Sequence, residues 1–145
     1  MMNLTKALKT KKKLVKQVDE AYTRFLAFNS HEAGMSTPYN AEEAFNAWLD
    51  LTKQLIDLKT KIQLANAPIA EKIFRLGELK NLSSRMRNVD VKEGMHRDRY
   101  TNDGTQIEYV AFMNLVAKDK QVKQWEAEIE ALQEEIEAFN AITKI

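Results

Sequence analysis

The sequence predicts an all-α fold: an antiparallel, coiled-coil-like bundle of three to four long helices, with a small β-hairpin before the last helix. Three observations carry that reading. Apolar residues recur at 3-4 spacing along most of the chain, which gives each helix one continuous sticky face. Only 4 Gly and 2 Pro occur in 145 residues, too few for a turn-rich β-sandwich. A single stretch, Thr105 to Phe112, abandons the helical spacing for β-branched and aromatic residues beside a turn signal.

Composition sets the outer limits. With 44% hydrophobic and 30% charged residues, one domain spanning 1–145 is long enough to bury a core. The absence of Cys removes disulfides, thiolate metal sites and cysteine nucleophiles. A net charge of +1 does not single out a nucleic-acid partner. Lysines interrupt Met1–Lys13, unlike the apolar run of a signal peptide. The longest uncharged runs, such as Tyr109 to Ala117, fall far short of the roughly 20 residues that span a bilayer as a helix. The expectation is a soluble, cytoplasmic protein.

The first helix is expected over about 3–29. Leu4, Ala7, Leu14, Val18, Ala21, Phe25 and Phe28 form its seam, interrupted by Lys11, and Leu8, Val15 and Tyr22 widen it. Asn3 suits the N-cap, and the helix should stop near His31–Gly34, where Gly can turn left-handed. After the turn Ser36–Tyr39, Asn40 and Glu43 resemble a capping box. They open a second helix over about 41–65, with Ala44, Trp48, Leu51, Leu55, Leu58, Ile62 and Ala65 as its seam.

Pro68 interrupts that pattern, yet Ile69, Leu76, Leu79 and Met86 continue its phase, with Lys72 and Ser83 as polar exceptions. Either one long helix is kinked at the proline, or two helices meet at a corner; the favoured reading is a break, with Asn66 capping a third helix over about 68–87. Residues 88–94 read as loop. Around Asn102-Asp103-Gly104, the segments Arg97–Thr101 and Thr105–Phe112 read as a hairpin over about 97–112. Asn114 then caps a last helix over about 114–143. Leu115, Val122, Ile129 and Ile136 fall at one of its core positions, and Lys118, Trp125, Leu132 and Phe139 at the other.

Set in order, these features carry a resemblance. Two long helices, an Ile62…Asn66 ending, a third helix, Tyr100-Thr101 with Ile107-Glu108-Tyr109-Val110, Asn114, and a closing Ile136…Asn140…Thr143 resemble the septicolysin family, nearly end to end. The resemblance implies a small bacterial helical protein. The family's name implies lysis, but no functional residue carries over.

No catalytic or cofactor motif stands out. His31 and His96 lack the spacing of metal ligands, the glycines form no phosphate-binding loop, and Ser83 and Ser84 have no neighbouring His–Asp pair. Glu130, Glu134 and Glu137 fall on the outward face of the last helix, as solvated residues do. Trp48, Trp125 and Phe139 sit at seam positions and read as core.

Charge is distributed unevenly. Lys6, Lys9, Lys11, Lys12, Lys13 and Lys16 put six positive charges into eleven residues, while Glu126 to Glu137 holds six glutamates and no base. The bland account is two oppositely charged solvated faces; the functional one is a cationic amphipathic helix on an anionic membrane. A second basic group runs through Arg85, Arg87, Lys92, His96, Arg97 and Arg99, diluted by acids. The reading that results is a non-enzymatic helical scaffold or protein-interaction protein. It is expected to work as a homo-oligomer with no cofactor and no clear nucleic-acid partner. Its candidate interaction surface is Arg97, Arg99, Tyr100, Tyr109 and Lys118, at the hairpin end of the last helix.

Overall fold

The computed structural model describes residues 1–145. In chain order it comprises α1 (Leu4–Phe28), α2 (Ala41–Asn66), α3 (Ala70–Met86), β1 (Gly94–Arg97), β2 (Gln106–Tyr109) and α4 (Leu115–Ile142). The chain is mainly helical with one small antiparallel sheet. Local chemistry explains where the helices begin. Asn3 Oδ1 accepts the Lys6 amide at 2.9 Å, Asn40 Oδ1 the Glu43 amide at 3.0 Å, and Asn114 Oδ1 the Ala117 amide at 2.9 Å. Each satisfies one of the amides that a helix start leaves unpaired.

Pro68 corrects the favoured break. Residues 41–86 are helical without interruption, and the proline lies in a single 3-10 turn, Ala67–Ile69, that joins α2 to α3. There are thus three helical stretches rather than four separated helices. A proline lacks an N–H donor and its ring crowds the carbonyl one turn back, and at the start of a 3-10 turn both are accommodated without a loop. Asn66 itself is helical and makes no side-chain cap.

The hairpin is also displaced. Gly94 pairs with Tyr109 and Arg97 with Gln106, so the first strand begins three residues before the expected Arg97. Residues 98–105 form the connection. Asp98 Oδ1 accepts the Tyr100 amide at 2.9 Å and Asp103 Oδ1 the Thr105 amide at 3.0 Å. These two side-chain turns bend Arg99–Thr101 out of the extended form that its residue types favour. Gly104, at φ +79°, supplies the left-handed residue of the turn.

The chain divides into two compact units, Met1–Ala70 with Glu137–Ile145, and Glu71–Ile136. In the first, α1 and α2 run antiparallel. Tyr22 and Trp48 ring centroids are 5.0 Å apart and those of Phe25 and Phe45 5.2 Å, while at the other end Leu4, Ala7 and Ile62 form a buried cluster. Ala7, Ala21 and Ala44 are buried along the seam, and their size lets the helices approach closely. Residues 143–145 return to cover Leu4. The Leu4 amide donates to the Thr143 carbonyl at 2.8 Å, the Ile145 amide to that of Met2 at 3.0 Å, and Ile145 and Phe139 pack on the cluster.

In the second unit, α3 lies antiparallel to residues 115–136 of α4. Lys72 pairs with Glu135 at 2.7 Å, Arg87 with Glu126 at 2.6 Å, and Arg75 with Glu128. Three of the six α4 glutamates are therefore paired with α3 or the residue just after it, not with the lysines of α1. Lys72 leaves the expected seam to make its ion pair, and Ile73 takes the half-buried place. Along α4 the seam positions Val122, Trp125, Ile129, Leu132 and Ile136 are each half-buried, Leu115 at the helix start is exposed instead of core, and no residue of the helix is fully buried. The expected periodicity is present, but its depth is not.

Candidate interaction surface

The five expected surface residues come from three local settings. Arg97 ends β1, and Arg99 and Tyr100 stand in the exposed 98–105 connection. Tyr109 ends β2, where Lys92 Nζ lies 4.7 Å from its ring centroid and His96 meets it edge-on at 5.6 Å. A cation over a ring face and an imidazole at its edge order this aromatic locally. Lys118 is held elsewhere: its ammonium donates to the carbonyl oxygens of Arg87 at 3.0 Å and Val89 at 2.9 Å. Arg97, Arg99 and Tyr100 are free on the surface, whereas Tyr109 and Lys118 are engaged in the fold.

Both histidines are exposed, but only His31 lies in a connection, that of residues 29–40, since His96 stands on β1. His96 Nε2 lies 2.7 Å from the Glu93 carbonyl oxygen. No three metal-ligating side chains converge. Ser83 is buried in α3, and its hydroxyl finds no partner within the chain.

Two apolar surfaces were not singled out as sites from the residues alone. The first is the uncharged run after β2: Val110 and Phe112 are almost fully exposed, beside a crevice of about 400 Å³ lined by Val89, Lys92, Tyr109 and Met113 among others. Its only sequence signal was the length of the run. The second lies on one side of the α1–α2 pair, where Val15, Tyr22, Leu26, Phe45, Leu49 and Ile56 are all exposed. Leu8, Val15 and Tyr22 signalled the α1 half of that face. The opposite edge of the pair is different in character. It holds a smaller crevice of about 240 Å³ around Ala21, Glu43 and Ala47, closed by Arg24 over the Tyr39 ring at 4.3 Å.

No helix is long and apolar enough to cross a membrane. No family model, curated protein or solved structure matches the chain.

Proposed function

We propose that this is a non-enzymatic helical scaffold or protein-interaction protein that acts as a cytoplasmic homo-oligomer, its helices completing a bundle by association. One observation supports this best: large apolar residues beside and beyond the seams stand uncovered. Among 145 residues, eight hydrophobic ones are buried, while Leu26, Leu49, Ile56, Phe74 and Phe112 stand exposed. Soluble chains rarely leave so much large apolar surface open unless a partner covers it. The resemblance to the septicolysin family is compatible with such a role and adds no chemistry to it.

Static light scattering at micromolar concentration tests the reading, with a mass of two or more chains expected. A mass of one chain, unchanged on tenfold concentration, would remove it.

A membrane-active role is the second reading, favoured by one feature. Lys6, Lys9, Lys12, Lys13 and Lys16 are exposed on α1 and make no salt bridge. Flotation with anionic vesicles at low salt separates the two, since electrostatic adsorption is strongest there. Failure to float under those conditions leaves the scaffold reading alone.

A further inference from the structure

The open face of the α1–α2 pair has a charge pattern that selects its own occupant. Along α2, the positions Phe45, Leu49, Thr52, Ile56, Lys59 and Gln63 follow 3-4 helical spacing, and Lys59 alone among them is charged. This stripe stands beside the seam that contacts α1 and runs nearly the length of the helix. Val15, Tyr22 and Leu26 form the matching stripe on α1. The Tyr22–Trp48 and Phe25–Phe45 contacts place both stripes on one side of the pair. Leu26 is 65% exposed, Leu49 51% and Ile56 58%, so neither helix covers the other's stripe.

Four charged residues of α1 and α2 lie on this face and are polarised along it, while Glu137 of α4 shares a crevice with Lys12 at the basic end. Because the helices are antiparallel, Lys12 of α1 and Lys59 of α2 fall toward one end. Asp19 lies farther along α1, and Glu42 of α2 marks the opposite end. None of the four takes part in a salt bridge within the chain. A second copy turned end for end would bring the basic end of each face over the acidic end of the other. Lys12 then meets Asp19 of the partner, and Glu42 meets its Lys59. A two-fold axis parallel to the helices would instead set like charge on like. The patch is two helices wide and roughly 20 Å long at 1.5 Å rise per residue. That footprint is of the order required for a standard interface, which buries about 800 Å² from each partner.

We infer that two copies associate through this face, α1 against α1 and α2 against α2, each antiparallel, to form an isologous four-helix core. The inference rests on the self-association proposed above and specifies its surface and orientation.

The absence of cysteine makes cross-linking a clean test. Thr52 lies near the implied axis, so Thr52→Cys should form a disulfide-linked dimer under mild oxidation. Ala47→Cys, on the opposite edge, should not. Ile56→Glu should shift the protein to monomer with helical circular dichroism unchanged, because the residue is exposed. Asp19→Lys should weaken association about tenfold or more, with Lys12→Glu in the same chain restoring it, as expected for facing charges. A dimer that neither cross-links through Thr52→Cys nor responds to Ile56→Glu would overturn this face and leave self-association standing. A monomeric parent protein would overturn both.

Discussion

Lys118 Nζ donates to the carbonyl oxygen of Val89 at 2.9 Å, reaching from the first turns of α4 to the segment that follows α3. A second donation, to Arg87 at 3.0 Å, serves the carbonyl just past the last residue of that helix. A helix C-terminus presents unpaired carbonyls and partial negative charge, and an ammonium satisfies both. This explains a lysine at a position where the heptad pattern calls for an apolar side chain. Its stem lies along the seam, and its charge sits over the carbonyls.

Replacing Lys118 with Met keeps the stem and removes the charge. The variant should lose about 1 kcal/mol, as hydrogen bonds to charged groups and helix-end cations are worth. Hydrogen exchange should accelerate selectively around the end of α3. Unchanged exchange there would show the lysine to be dispensable.

Leu4 is the most buried large side chain, enclosed by Ala7, Ile62, Phe139 and Ile145. Leu4→Ala should cost about 2–5 kcal/mol, the range for truncating a fully buried leucine. Trp125 is only half-buried, so its replacement by Ala should cost less than the Leu4 change. Denaturant melts of the two variants would check the order; an equal or larger loss at Trp125 would contradict it.

Ser83 should respond the opposite way. Its hydroxyl is buried without a partner, and alanine is the better helix former. Ser83→Ala should raise stability by about 1 kcal/mol through relief of the unsatisfied group. A destabilised variant would mean that the hydroxyl is bonded in solution.

Asp103 gives the hairpin connection a pH dependence. The Thr105 hydroxyl and then the Thr105 amide donate to its carboxylate and hold its pKa below the ordinary value. A depressed folded pKa means stabilisation that is present above the unfolded value and is lost as pH falls through the folded one. The turn should therefore stay intact through neutral and mildly acidic pH, loosening only below the ordinary Asp midpoint of about 3.9. The Thr105 amide resonance should titrate with that low midpoint, and in Asp103→Asn it should not move. A midpoint at or above the ordinary value would contradict the assignment.

Local chemistry made the helices readable. The caps at Asn3, Asn40 and Asn114 each join groups three residues apart, and the 3-4 seams follow from helical pitch alone. Neither depends on what lies across the fold. Misplacements occurred where local signals competed: Asn66-Ala67-Pro68 reads as a break by propensity, and Arg99-Tyr100-Thr101 reads as a strand until Asp98 and Asp103 bend it. The candidate surface was partly visible in the same way. The oddness of Lys118 showed in its heptad position, but its carbonyl partners lie 31 and 29 residues away.

The sequence by itself determined that this chain is helical and where most of its seams run. Tertiary structure decided which seams are covered and by what. It gave three of the six α4 glutamates to Lys72, Arg75 and Arg87, engaged Lys118 at the end of α3, and brought residues 143–145 onto Leu4. It also left one side of the α1–α2 pair open. The reason is physical: periodicity records that a residue faces inward on its own helix, whereas depth and partnership depend on contacts between distant segments, which no local pattern encodes.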